Sequence, residues 1–293
     1  MPFLNEYQKP AELAQGPHHA STQLADYDLN FCYSVPPVLE TAGGVRLYPL
    51  IPSIHAERLY ELSLPFPESY KWLPYGPFRN FYQYLTFLET IRRDPYSLLF
   101  VVYDLSLKFH DEDPREDYEA EGGSGLRPER IAGIVGALKS VPKNRSSEIG
   151  HLHIAPPFQR THVLTHSIAL LLEYLLSPAT STKPYQLGLR RVQWFSNELN
   201  QPSVSAAIRL GFELEASSLK WERVTSRAKF GLPLPDFLNG ERREAEEELG
   251  GGRHSSVLRI GWDDWEERGV KNHVETLLNR PVVKKRIEDV KFE

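Results

Sequence analysis

"SSEIGHLHIAPPFQRTHVLTHSIALLLEYLL", residues 146–176, contains a strand, a stop and a helix in one run, and the way they are joined decides the fold. In SEIGHLHI, simple alternation sets Glu148, Gly150, Leu152 and Ile154 on one face and Ile149, His151 and His153 on the other. Pro156 and Pro157 end the strand because neither can donate to a neighbour, and the edge they open can hydrogen-bond an extended ligand. Beyond Phe158-Gln159-Arg160-Thr161-His162 the period changes, and Leu164, Ile168, Leu171, Leu172 and Leu175 form a helical stripe. So tight a connection presents the first N–H groups of the helix unpaired, and with the helix dipole they attract phosphate. Gln159 and Arg160 add polar reach at that mouth.

Working outward, "NELNQPSVSAAIRLGFELE" (197–215) reads as a short helix followed by a strand. Asn200 is a good N-cap, Pro202 fits a first turn, and Gly211 suits a left-handed stop. Val204, Ala207 and Ile208 give this helix its narrow apolar stripe; Phe212, Leu214 and Ala216 then alternate with Glu213 and Glu215. Upstream, GVRLYPLI reads as a strand, SIHAERLYELSL as a helix with Ile54, Leu59 and Leu62 inward, and PFRNFYQYLTFLETIRRD as an aromatic-rich helix burying Phe81, Tyr84, Leu85 and Leu88. YSLLFVVYD and ERIAGIVGALKS are nearly continuous apolar runs, as central strands are. The last part gives the strand SSVLRIGW and the helix WEERGVKNHVETLLNR. Two acidic insertions, near 105–128 and 226–252, read as solvated loops, the second holding a short exposed helix that ends at Gly250. Residues 1–40 read as an irregular arm, 41–280 as the main domain and 281–293 as a tail. The order of elements implies a mixed α/β sheet with crossover helices.

Composition narrows the class. The 293 residues are 41% hydrophobic, enough for a real core. A formal net charge of −5 with no long Lys/Arg block argues against nucleic acid as a partner, and no apolar run approaches the roughly 20 residues of a membrane span. Cys32 is the single cysteine, which rules out an internal disulfide framework and fits a reducing, cytoplasmic setting.

Taken together, "YGPFRNFYQYLTFLETIRRDPYSLLFVVYD", "IAGIVGALKS", "SSEIGHLHIAPPFQRT", "LGLRRVQWFSNELNQPSVSAAIRLGFELE" and "GRHSSVLRIGWDDWEE" resemble, in this order, the GCN5-related N-acetyltransferase superfamily. The nearest likeness is to its branch similar to the ribosomal-protein N-terminal acetyltransferases. The resemblance covers roughly residues 41 to 280. Its strongest piece is Asn200-x-x-Ser203 followed by Arg209-Leu210-Gly211-Phe212, about 40 residues after Gln159-Arg160-Thr161. It implies an α/β fold of the α+β type, with a mostly antiparallel central sheet, one parted pair of strands and flanking helices. It implies acetyl-CoA as co-substrate and no metal. The cofactor would lie along Leu152, His153 and Ile154, then the turn and helix start of Gln159, Arg160, Thr161, His162, Val163, Leu164 and Thr165, and then Asn200 and Ser203. The family's loop pattern would place a glycine or another small residue at His162 and Leu164, and this chain has neither. Leu164-Thr165-His166 stands where relatives carry Ala-Thr-Glu, and His254-Ser255-Ser256 where they carry Arg-Asp-Thr.

The implied acceptor is a primary amine, on a small molecule or a protein N-terminus. An amine of pKa about 10.4 is only ~0.04% neutral at pH 7, a cost of about 4.6 kcal/mol, so a base is useful. Glu148 is the candidate base, and the alternative is a carboxylate bonded locally at a strand start. Ser203 is the candidate donor to the departing thiolate, against the plainer role of a capping partner. Tyr75, Phe78 and Tyr82 are candidates for the acceptor pocket or, equally, for the core. Two rival readings stand beside this one. One is a non-catalytic acyl-CoA-binding module of the same fold. The other is a zinc hydrolase using His151, His153, His162 and His166, for which the sequence fixes no acidic third ligand.

Overall fold

The computed structural model describes residues 3–9, 11–42, 44–109, 127–225, 232–282, 285–286 and 290. Eight strands form one sheet: β1 (Leu39–Glu40), β2 (Val45–Pro49), β3 (Leu98–Asp104), β4 (Ile131–Val141), β5 (Ser146–Ile154), β6 (Arg191–Asn197), β7 (Glu213–Thr225) and β8 (Gly251–Gly261). Their spatial order is β1-β2-β3-β4-β5-β6-β8-β7, and every pairing is antiparallel except β5 with β6. The expected sheet class is the observed one. β3 is buried along its whole length, as its unbroken apolar run requires.

Helices α1 (Pro52–Ser63) and α2 (Phe81–Arg93) cover one face, where His55 of α1 meets the Tyr103 ring. Helix α3 (Val163–Leu176) covers the other, where Tyr174 meets Phe100. Asn80 caps α2 by accepting from Gln83 N, and Tyr84, Leu85 and Leu88 face inward. In α1 the expected stripe is off by one position. Ile54 is 36% exposed, while His55 is buried and its Nδ1 accepts from Ile51 N at 2.9 Å, capping the helix. Helix α3 is buried nearly all round, because α6 (Trp262–Glu266) and α7 (Val270–Leu278) close over its outer side; Trp265 Nε1–H donates to Ser177 Oγ at 3.0 Å. Helix α4 (Gln201–Arg209) buries Val204 and Ala207 but leaves Ile208 52% exposed, its expected place being taken by Leu210. Gly211 stops it at φ +93°. In the second insertion, α5 (Gly240–Leu249) is an exposed helix ending at Gly250, φ +109°. Most of the first insertion, residues 110–126, lies outside the described residues.

Residues 16–38 are irregular yet docked. Gly16 N donates to Thr86 Oγ1 and Asn30 Nδ2 to Arg92 O, both on α2; Cys32 N donates to Pro95 O, and Ser34 O accepts from Tyr174 on α3. The segment therefore spans from one helical layer to the other.

Candidate functional site

The site follows from two register faults in β4 and β5. Gly136 pairs with Gly150, but Ile134 pairs with His153, so two steps of β4 oppose three of β5. The extra residue is His151, at φ +51°. Leu138 pairs with Glu148 and Val141 with Ser146, so here β4 carries the extra residue, Lys139, at φ +47°. Gly133 sits in the same region at φ +149°, and a Cβ there would stand 2.1 Å from His153 O, so only glycine fits. Among the described residues positive φ at non-glycine positions is found at His19, Asn30, Lys139, Arg145, His151, Arg160 and Trp221, and Lys139 and His151 are the two that mark the register faults.

Beyond the fault, β5 leaves β6. The parallel pairing runs from Ser146↔Arg191 to Ile149↔Trp194 and stops, while β6 stays with β8 as far as Asn197↔Ser255. From Gly150 onward the side of β5 turned towards β6 has lost that partner, and a wedge opens between the two strands.

The bulge also corrects the expected faces. Strict alternation separates Glu148 from His151 and His153; the inserted residue restores them to one side. His151 lies 5.3 Å from the Tyr75 ring and 5.9 Å from Phe87, and His153 packs against Tyr70 at 4.2 Å with the rings tilted by 34°. Ser69 O–H donates to Phe66 O, which leaves His153 Nε2–H as the donor to Ser69 Oγ at 2.8 Å. Tyr75 and Phe78 join this aromatic box, but Tyr82 is 54% exposed and outside it. Burial pushes the Tyr70 phenol up to about 12 and holds His151 down to about 4, so these two rings are neutral at pH 7.

Glu148 stands at the vertex of the wedge, 3% exposed, opposite Gln193. Lys139 Nζ is 3.0 Å from its Oε2, an ion pair without the alignment of a directed hydrogen bond. Burial raises the carboxyl above its ordinary value and outweighs the opposing pull of Lys139 and Arg223. Lys139 escaped the sequence reading because it closes a run that looks like a strand end. The readable signal was glycine at 133, 136 and 150 inside adjacent strands, which marks bulges.

Ser203 lies across the sheet from Glu148. Trp194, paired with core residue Ile149, donates its indole N–H to Ser203 Oγ at 3.0 Å, leaving the hydroxyl proton free to point elsewhere. Asn200 Oδ1 accepts from Ser203 N at 3.4 Å, so Asn200 serves as the N-cap.

At the far end of β5 the turn into α3 supplies the anion-seeking feature. Gln159 Nε2 donates to Ile154 O, and Thr161 Oγ1 takes the Val163 N–H at 3.2 Å. The N–H groups of Leu164 and Thr165 have no intrahelical acceptor, as first-turn donors cannot. The missing glycines have a physical reason: Arg160, not His162, takes the left-handed position at φ +57°, whereas His162 sits at φ −70°. The side chain of Val163 is in the core and that of His162 turns inward, Nε2 lying 3.1 Å from Gly44 O and 3.4 Å from Asp104 Oδ1. Asp104 raises the His162 pKa against burial, and the Asp104 carboxyl is correspondingly lowered. His166 Nδ1 contacts Thr41 Oγ1 at 2.9 Å. The four histidines thus form two separate pairs with local partners, and among the described residues no three metal-ligating side chains converge.

No protein family and no curated protein sequence matches the chain. Solved structures do. A GCN5-related N-acetyltransferase from Brucella melitensis superposes with a TM-score of 0.59 at 20% identity, covering 85% of this chain and 90% of its own. A GNAT-family protein from Chromobacterium violaceum ATCC 12472 gives 0.55 at 21%, covering 91% and 96%. The Microcin C7 self immunity acetyltransferase MccE, solved with acetyl-CoA and AMP, gives 0.51 at 16%, covering 78% and 97%.

Proposed function

Starting from the premise that this chain has the GCN5-related N-acetyltransferase fold, we propose that it transfers an acetyl group from acetyl-CoA to a primary amine by direct attack. One observation carries the reading: a buried carboxylate on one face of the sheet and an oriented hydroxyl on the other, with the wedge between β5 and β6 joining them. The acetyl-CoA held by MccE on this fold supports the choice of donor.

The fit to the donor rests on this chain's own groups. The unpaired side of β5 from Gly150 offers backbone groups to a pantetheine arm, and the N–H groups at Leu164 and Thr165 suit a pyrophosphate. The amine arrives from the side of Tyr75 and Phe78. Its lone pair attacks the thioester carbonyl carbon, the N–C bond forms and the C–S bond breaks. Glu148 takes the proton lost from nitrogen, and the Ser203 hydroxyl supplies a proton to the departing thiolate and recovers one from solvent. Backbone N–H groups of the bulged β5 stabilise the carbonyl oxygen as charge develops on it.

The test is a panel of amines with acetyl-CoA, read by thiol release, beside a calorimetric titration of acetyl-CoA. Donor binding with amine-dependent thiol release is the expected result. Binding without release by any amine makes the chain a binding module, and no binding removes the proposal.

A further inference from the structure

Arg253, near the start of β8, is the charged group that the acetyl-transfer reading leaves unused. It is 6% exposed, its Nε is buried without an acceptor, and among the described residues it has no ion pair. Burying Nε without an acceptor is costly, while the terminal nitrogens are not among the buried unpartnered atoms and stay within reach of an acceptor that arrives from solvent.

The surroundings say where that acceptor comes from. Asn197↔Ser255 and Phe195↔Val257 are cross-strand pairs, so Arg253, two residues beyond Ser255, belongs to the face that carries Phe195. Lys139 Nζ sits 4.7 Å from the Phe195 ring and reaches Glu148. Arg223 is directly opposite Arg253, placing two like charges side by side. Glu222 answers part of this charge, its Oε2 lying 3.0 Å from Arg223 Nε and 3.0 Å from Ser255 Oγ. Three cations (Lys139, Arg223, Arg253) therefore stand against two carboxylates (Glu148, Glu222) on the side from which the amine approaches.

We propose that Arg253, with Arg223 beside it, receives a carboxylate carried by the acceptor, so that the acetylated amine is an amino acid or a peptide amino terminus beginning with Asp or Glu. This rests on the acetyl-transfer reading and narrows its substrate. A carboxylate matches the planar fork of arginine and can accept two parallel N–H bonds. A neutral amide offers one acceptor oxygen and no charge, so it answers the guanidinium only in part, and a polyamine meets three cations with like charge.

The experiment uses the full chain, acetyl-CoA and two matched pairs of probes: L-aspartate against L-asparaginamide, and Asp-Ala-Ala-amide against Asn-Ala-Ala-amide. Rates are compared at equal concentrations of neutral amine. In at least one pair the acidic member is favoured in kcat/KM by about tenfold or more, the scale of one charged hydrogen bond. The pair that responds tells a free amino acid from a peptide terminus. Arg253→Gln brings that ratio to about one, and Arg253→Lys retains part of it. The same probes titrated calorimetrically into the CoA-saturated protein show the same preference. The wild-type ratio is informative even if a variant folds poorly. Ratios near one in both pairs, or a preference that survives in folded Arg253→Gln, overturn the carboxylate site. Acetyl-CoA titrated in parallel separates the failures: donor binding with ratios near one removes only this site, and no donor binding removes the acetyl-transfer reading with it.

Discussion

Glu148→Gln separates a base from a structural ion pair, because the two roles predict opposite outcomes. If Glu148 accepts the amine proton, its loss lowers kcat/KM by about 10²–10⁴-fold, or ~2.7–5.4 kcal/mol of transition-state stabilisation. Stability moves the other way. The folded-state pKa stands above the ordinary 4.5, so the folded chain holds this proton more tightly than the unfolded chain does. The group's contribution to stability therefore falls as pH rises from about 4.5 through the folded value, and stays reduced at pH 7. Glutamine carries no charge to desolvate, and Lys139, half exposed, remains hydrated. The expected result is a variant that binds acetyl-CoA, melts at or above the wild-type temperature at pH 7, and has lost nearly all turnover. Thiol release gives the rate, a thermal melt the stability, and calorimetry the donor affinity. A variant that melts lower yet keeps its rate within about threefold would refute the assignment.

Three further outcomes follow from the geometry. Ser203→Ala strands the buried Trp194 N–H and costs about 1–3 kcal/mol in a denaturant melt; with the proton donor to the thiolate removed, kcat also falls more than acetyl-CoA affinity. Gly133→Ala sets a Cβ 2.1 Å from His153 O at φ +149°, so the melting temperature falls and acetyl-CoA binding weakens as β5 shifts. The His162–Asp104 pair gives a pH signature. The contribution of His162, whose pKa is raised, is fully present below about 6.5 and lost as pH rises through its folded value; that of Asp104, whose pKa is lowered, is present above about 3.8 and lost as pH falls through its folded value. His162→Gln therefore flattens the decline in melting temperature above pH 6.5, and an unchanged profile would place that decline elsewhere.

How far the sequence could be read depended on whether a feature obeys a period. The helices at 81–93 and 163–176 and the strand at 98–104 announce themselves by spacing or by unbroken apolar runs. The turn from strand to helix at 154–163 is equally visible, because proline can do little else there. What resisted was every place where the period breaks. One inserted residue at His151 exchanges the faces of all that follows, which is why Glu148 and His153 share a side that alternation denies them. Ile54 and Ile208 were misplaced for a related reason: an apolar residue in a short helix need not face the core when His55 or Leu210 fills the position better. Arg253 falls between the insertion read as ending at 252 and the strand read from Ser255, whereas β8 already begins at Gly251.

The strap formed by residues 16–38 has a mechanical consequence. It is fastened to Thr86 and Arg92 at one end and to Tyr174 at the other, so the two helical layers cannot swing apart without breaking those fastenings. A shortened chain beginning near residue 41 would keep every residue named in the chemistry and lose these ties between the layers, so a lower melting temperature is expected of it.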